Sequence, residues 1–467
     1  MRRIVFALVV VLSAIGWGQT SYLGLFLTGK RIGYASSKVS TDQLNGKQVK
    51  RLDGRTLIDA GLLGASMKTV IDSTTWLGQN DEALQMVFLV GSSGRSQRTF
   101  VRFTATTIEV EVNNGGAKTK KSIERPKDAP VVDDAVNALQ ADLLIPGATR
   151  LCYVFDPMTA SLVKNEVSSA GTQTIDVNGV SMKATVIEVS EPRATMRVYL
   201  SAKGDILKID GPMGIEMRPM AEAEALAAME PGEAPDIAFA TAISLDKPIE
   251  NPEAAKSITL RVTGVDLKRL PSDAFQTVTG GGKSWTVTVH PIPMNQKFTI
   301  AQSAKSQPAW IAQSMNIPSG DAAFKKLAGQ VIGTAKTVSE AAKRVRKRVF
   351  TIMRPNAGIG VLRDAGEVLK TKEGVCRDYA VLTAAILRAG KVPSRLASGL
   401  VYMDGQYFYH AWVEVWDGTS WVGVDSTRPS DHVGAGHLKL AHGNVEDAFS
   451  FTYLGGAKVE VLNVRRN

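Results

Sequence analysis

Residues Glu373 to Pro393 read EGVCRDYAVLTAAILRAGKVP. Tyr379, Leu382, Ile386 and Leu387 recur at helical spacing, Gly390 offers a C-cap, and Pro393 stops any continuation. A helix is therefore predicted from about Val375, directly after Gly374. Cys376 falls in its first turn, where unpaired N–H groups and the positive end of the helix dipole favour a thiolate. Such a position can lower a thiol from its usual pKa of ~8.5. Three readings of Cys376 stay open on this evidence: a small buried residue, one half of a disulfide with Cys152 (the only other cysteine), or a nucleophile.

A nucleophilic thiol needs a base within hydrogen-bond reach. The chain has five histidines. His410 lies in QYFYHAWVEVW, Gln406 to Trp416, a strand that alternates cleanly. Phe408, His410, Trp412, Glu414 and Trp416 share one face. A second strand is predicted over Thr419 to Asp425, with Asp417-Gly418 as a two-residue hairpin loop. That register sets Trp416 opposite Thr419 and His410 opposite Asp425. A longer loop taking in Thr419 and Ser420 would instead set Trp412 opposite Asp425. In the first register the carboxylate can orient the imidazole, as the third member of a catalytic triad does. Trp412, on the same face, would either screen the site from water or belong to the ordinary core.

With these residues in view, Ser319 to Asn444 resembles the transglutaminase-like core domain of exported bacterial proteins. The resemblance is carried by GVCRDYA (Gly374 to Ala380), PSR (Pro393 to Arg395), GLVY (Gly399 to Tyr402), YHAWVEV (Tyr409 to Val415), VDST (Val424 to Thr427) and HLKL (His437 to Leu440). It implies a papain-like α+β fold with Cys376 as nucleophile, His410 as base and Asp425 as orienting acid. It also implies acyl transfer through a thioester, on peptide or glutamine carboxamides. Vertebrate members carry Trp directly after the cysteine, where this chain has Arg377, and no calcium-loop pattern occurs. Hydrolysis is therefore expected over cross-linking. A non-catalytic cell-envelope binding or assembly protein is the alternative, and a Cys152–Cys376 disulfide would favour it.

No cofactor and no metal are expected. His432, His437 and His442 recur every five residues near Asp431, a spacing that fits a surface loop better than a metal site. His290, between a strand and Pro291, reads as structural.

Arg2 and Arg3, the apolar run Ile4 to Ile15 and the small residues around Gly18 have the three parts of a signal peptide, so residues 1–18 are expected to be removed on export. A periplasmic or extracellular location follows, with no membrane span after cleavage. The formal net charge is +10, two of it from Arg2 and Arg3. Lys343 to Arg348 concentrates basic residues, but Val345 and Val349 interrupt them at helical spacing. This reads as the wet face of an amphipathic helix, not as a nucleic-acid surface. The expected partner is a protein or peptide substrate.

The chain reads as multidomain. Residues 19–218 form a β-rich antiparallel meander, a half-barrel or sandwich. Its predicted strands include Tyr22 to Leu27, Leu84 to Val90, Thr99 to Phe103 and Ala184 to Val189. Turns are predicted at Asn45-Gly46, Asp53-Gly54, Asn114 to Gly116, Asn178-Gly179 and Lys203 to Asp205, and a helical stretch at Asp133 to Leu144. Residues 219–235 are a linker, 236–307 a small β-sandwich-like domain, and 308–467 the α+β domain. In the last, Thr337 and Glu340 predict a capping box, and Asp364 a second helix N-cap.

Overall fold

The computed structural model describes residues 18–466, apart from 93–94, 115–116, 139–144, 178, 193, 230–233 and 450–453. It divides into two compact units. One holds the chain up to Ala240 together with Ala357–Leu362; the other holds Thr241–Asn356 and Arg363–Asn467.

The first unit is built on one antiparallel sheet, fifteen strands wide among the described residues. The chain meanders outward from Thr20–Leu27 to Ala117–Glu124. It returns from Thr149–Asp156 to Ile215–Pro219, which closes against the first strand with Leu25 opposite Met217. Alternation sets the buried face: Ile58, Ala60 and Leu62 point inward while their neighbours are wetter. A meander was expected, and its two halves join in a single sheet. Asn45-Gly46 is the predicted two-residue turn, with φ of 52° and 78°. Val177 pairs with Val180 across the second predicted hairpin, whose Asn178 lies outside the described residues. The signal segment, Gly115-Gly116 and the 230–233 part of the linker also lie outside them.

Two expectations need correction here. Asp53-Gly54 is not a turn but the middle of a 16-residue strand, Lys47–Leu62. The Asp53 carboxylate accepts from Arg51 on its own strand and from Thr74 Oγ1 on the next, so a turn-forming dipeptide is held extended. Of the helical stretch, Ala135–Ala138 forms only a 3-10 turn, and 139–144 lies outside the described residues.

The second unit is α+β. Strands β1 (Ser257–Thr263), β2 (Gln276–Gly281) and β3 (Ser284–Val289) form a four-stranded sheet with the C-terminal strand, so this region is one sheet completed from the far end of the chain. Helices α1 (Ala322–Ile332), α2 (Val338–Ile352) and α3 (Ala365–Thr371) pack on α4 (Cys376–Ala389). Strands β4 (Ser394–Met403), β5 (Gln406–Trp416), β6 (Trp421–Val424) and β7 (His437–Gly443) form the second sheet, in the order β6-β5-β4-β7, with the short strand Ile243–Ser244 also pairing with β5; β8 (Lys458–Arg465) is the C-terminal strand beside β1. One core joins both sheets: Ile258, Leu260, Val287 and Val289 pack with Tyr407, Trp412 and Leu438. Each such fully buried aliphatic side chain contributes roughly 1.5–3 kcal/mol.

The predicted caps form. Thr337 Oγ1 accepts from the Glu340 N–H at 3.2 Å, and Asp364 Oδ1 accepts from the Glu367 N–H at 2.9 Å. Val338, Ala341, Val345 and Val349 are the buried stripe of α2. Arg346 departs from the wet-face reading: it is buried, with its guanidinium 2.7 Å from Asp431 and donating to the Arg428 carbonyl. Among the described residues no helix is long and apolar enough to cross a membrane.

Candidate active site

Cys376 is the first residue of α4. Val375, extended at φ −106°, precedes it, and the Asp378 carboxylate accepts from the Val375 N–H at 2.9 Å. Asp378 is itself buried against Arg363, whose Nε donates to it at 3.2 Å and whose other nitrogens reach Thr371 Oγ1 and the Glu373 carbonyl. This buried ion pair fixes the turn that presents the sulfur. A Cβ on Gly374, at φ +153°, would strike both Arg363 and Asp378, so only glycine fits. Both cysteines are free. Cys152 is buried, which pushes its thiol up to about 12 and makes it inert.

His410 sits on β5 opposite Gly399 of β4. Gly399 also lies against β7, and a Cβ there would collide with the Leu438 carbonyl. Glycine thus lets the two strands bring His410 and His437 onto the same side. Trp412, 1% exposed, stacks on the His410 ring at 6.3 Å with a 23° interplanar angle and belongs to the core.

The β5–β6 hairpin departs from the two-residue loop. Trp416 pairs with Trp421, and Val413 with Val424, so the longer alternative register is the one formed. The cause is Asp417. Its Oδ1 accepts from the N–H groups of Thr419 and Ser420 and closes a loop through Ser420, with Gly418 at φ +101°. Asp425 is therefore not directly opposite His410. It lies one residue beyond the paired end of β6 and reaches back diagonally. Asp425 Oδ2 meets His410 Nε2 at 2.8 Å. Thr427 holds the other oxygen, Oδ1, through its N–H at 2.9 Å and its hydroxyl at 2.7 Å. Ser426 Oγ and Thr383 Oγ1, 2.7 Å apart, tie this turn to α4.

His410 Nε2 is turned to Asp425, and the Cys376 thiol is electrostatically coupled to the same ring. The charges couple. Burial pushes the Cys376 thiol up, but the His410 hydrogen bond and charge outweigh it and leave the thiol below its ordinary value. Burial would lower His410, yet Asp425 and Cys376 raise it to about 10. Burial likewise opposes ionisation of Asp425, but the two neighbouring imidazoles hold its carboxyl well below the usual range. The three groups thus bias one another, Cys376 toward thiolate, His410 toward imidazolium and Asp425 toward carboxylate.

Residues 325–426 match the transglutaminase-like superfamily. The chain carries a transglutaminase-like domain. No curated protein matches the chain. Solved structures similar to it include a "Putative Cysteine Protease" from Cytophaga hutchinsonii, 18% identical over 45% of this chain and 86% of that one, with a TM-score of 0.33. A "Putative Protease" from Parabacteroides distasonis is 11% identical over 82% and 69%, with a TM-score of 0.23. A β-barrel-like protein of domain of unknown function DUF1849 from Brucella abortus is 10% identical over 43% and 93%, with a TM-score of 0.32.

The transglutaminase-like domain brings Cys376, His410 and Asp425 together. It also places at the site Arg363, Asp378 and Thr427, which sequence reasoning gave no role, and His437, which was read as a surface-loop residue but is buried on β7. Thr427 and Asp378 stood inside the quoted motifs. Arg363 had no local signal, since a lone arginine before a helix cap resembles any surface residue. His437 Nε2 is 3.4 Å from Asp425 Oδ2. Among the described residues, His410, Asp425 and His437 are the group whose ligand atoms come within 4.8 Å of one another; His432 and His442 do not join them.

Proposed function

We propose that the protein is an exported, thiol-dependent acyl-transfer enzyme that acts on peptide or glutamine carboxamides. The observation that carries this reading is the 2.8 Å His410–Asp425 hydrogen bond together with the lowering of the Cys376 thiol by that same His410. The Cys376 thiolate attacks the carboxamide carbon, and the carbonyl electron pair moves onto oxygen. The backbone N–H of Cys376, at the open end of α4, is a donor for that oxyanion. His410 gives its proton to the departing amine, which leaves a thioester on the sulfur. Water then attacks the thioester, His410 takes its proton, and the carboxylic acid and thiolate are released. Asp425 keeps the imidazole oriented throughout.

Hydrolysis is favoured over amine transfer because no feature of the sequence argues for amine selection, and Arg377 stands where vertebrate members carry tryptophan. Incubation with unfolded protein substrates, with and without a primary amine, tests the reading. New peptide termini or released ammonia are expected, both lost in Cys376→Ala. Activity that survives in Cys376→Ala would exclude Cys376 as nucleophile.

A further inference from the structure

His437 is a buried histidine that the proposed chemistry leaves unused. Its ring is 1% exposed and wedged edge-on against Trp412 at 5.3 Å and tilted against His410 at 5.8 Å. Two carboxylates flank it. Asp425 Oδ2 lies 3.4 Å from Nε2, and Glu253 Oε1 lies 4.0 Å from Nδ1, which has no hydrogen-bond partner. A neutral imidazole carries one proton, so one nitrogen donates and the other accepts. Burial pushes His437 down and keeps it neutral. The nearer acceptor takes the proton, so Nε2–H points at Asp425. The other charged group at this cluster is Arg428, whose Nε is 3.7 Å from Asp425 Oδ2 and whose terminal nitrogen pairs with Glu253 at 3.0 Å.

Asp425 then receives four donors on about four lone-pair sites. Thr427 supplies two to Oδ1, while His410 and His437 compete for Oδ2. The share is unequal, 2.8 Å against 3.4 Å, so His410 holds the oxygen and His437 draws on its charge. We propose that His437 is a positioning residue that shares Asp425 Oδ2 with His410 and so limits how tightly Asp425 holds the His410 imidazolium. A ring held too tightly gives up its proton poorly to a leaving amine. This role rests on the acyl-transfer reading above.

The test is the pH profile of Cys376 alkylation by iodoacetamide in the full chain. Removing the second donor leaves Oδ2 to His410 alone, which strengthens the imidazolium and thereby the thiolate. In His437→Leu the midpoint should move to lower pH by about half a unit. His437→Asn, too short to span the gap, should move it the same way, so the test survives if the leucine variant does not fold. His437→Gln can still donate to the same oxygen and should restore the wild-type midpoint, which a purely structural role would not produce. A wild-type midpoint in folded His437→Leu or His437→Asn, or a shift to higher pH, overturns the proposal. His410→Ala separates the two claims. If it raises the midpoint while the His437 variants leave it unmoved, the thiol–imidazole pair stands and the role of His437 falls. If it too leaves the midpoint unmoved, both fall.

Discussion

In the proposed reaction, Cys376 and His410 would set a pH window for the chemistry. The thiolate forms above the lowered thiol value, and the imidazolium is lost as pH rises through about 10. The window therefore opens on the acid side below the ordinary thiol value and closes on the alkaline side when His410 deprotonates. Asp425→Asn removes the charge that raises His410, so the window should narrow from both ends. Turnover should fall about a hundredfold or more, with the alkaline limb moved to lower pH, as a pH–rate profile would report. The pairing of His410 with Asp425 was legible in the sequence, but its route was not. Alternation on β5 showed which face His410 shares, and Asp425 was reached through a two-residue hairpin register that does not form, with the order of motifs pointing to the same residue. The loop was misread because Asp417 binds two N–H groups beyond Gly418, a side-chain effect that a dipeptide rule does not contain.

At the scale of elements, β4, β5 and β7 are stitched together by buried charge. Glu414 on β5 meets Arg395 of β4 at 2.7 Å and Lys439 of β7 at 2.6 Å, and Lys439 also reaches Asp273. Glu414→Gln removes the shared anion and leaves two cations underpaired. A loss of about 3–5 kcal/mol is expected, read as a lowered denaturant midpoint. Thr337→Ala at the start of α2 should cost only ~1 kcal/mol, because the capping box is exposed at the helix end. The helices were readable because their caps and apolar stripes are local. The long strands Lys30–Leu44, Lys47–Leu62 and Ala65–Leu77 were not. Their inward positions hold Ser, Thr and Gly as well as aliphatic residues, so alternation in hydrophobicity is faint although alternation in burial is present.

For the whole molecule, the transglutaminase-like match covers 325–426, and outside the resemblance from Ser319 to Asn444 the chain had to be read from pattern alone. That β1 and β8 pair, Val262 opposite Val459, was invisible in sequence, since some two hundred residues separate them. We propose that the mature chain starts near Gln19. The first strand opens directly after that point, at Thr20. Protein recovered from outside the cytoplasm should begin within about two residues of Gln19. Recovery there with Met1 intact would exclude cleavage.

The central claim is that His410 activates Cys376, and labelling by a cysteine-directed electrophile at neutral pH measures it most directly. Wild type should be modified rapidly at a single site, Cys376→Ala not at all because Cys152 is buried, and His410→Ala at least about tenfold more slowly. Equal rates in wild type and His410→Ala would contradict the account.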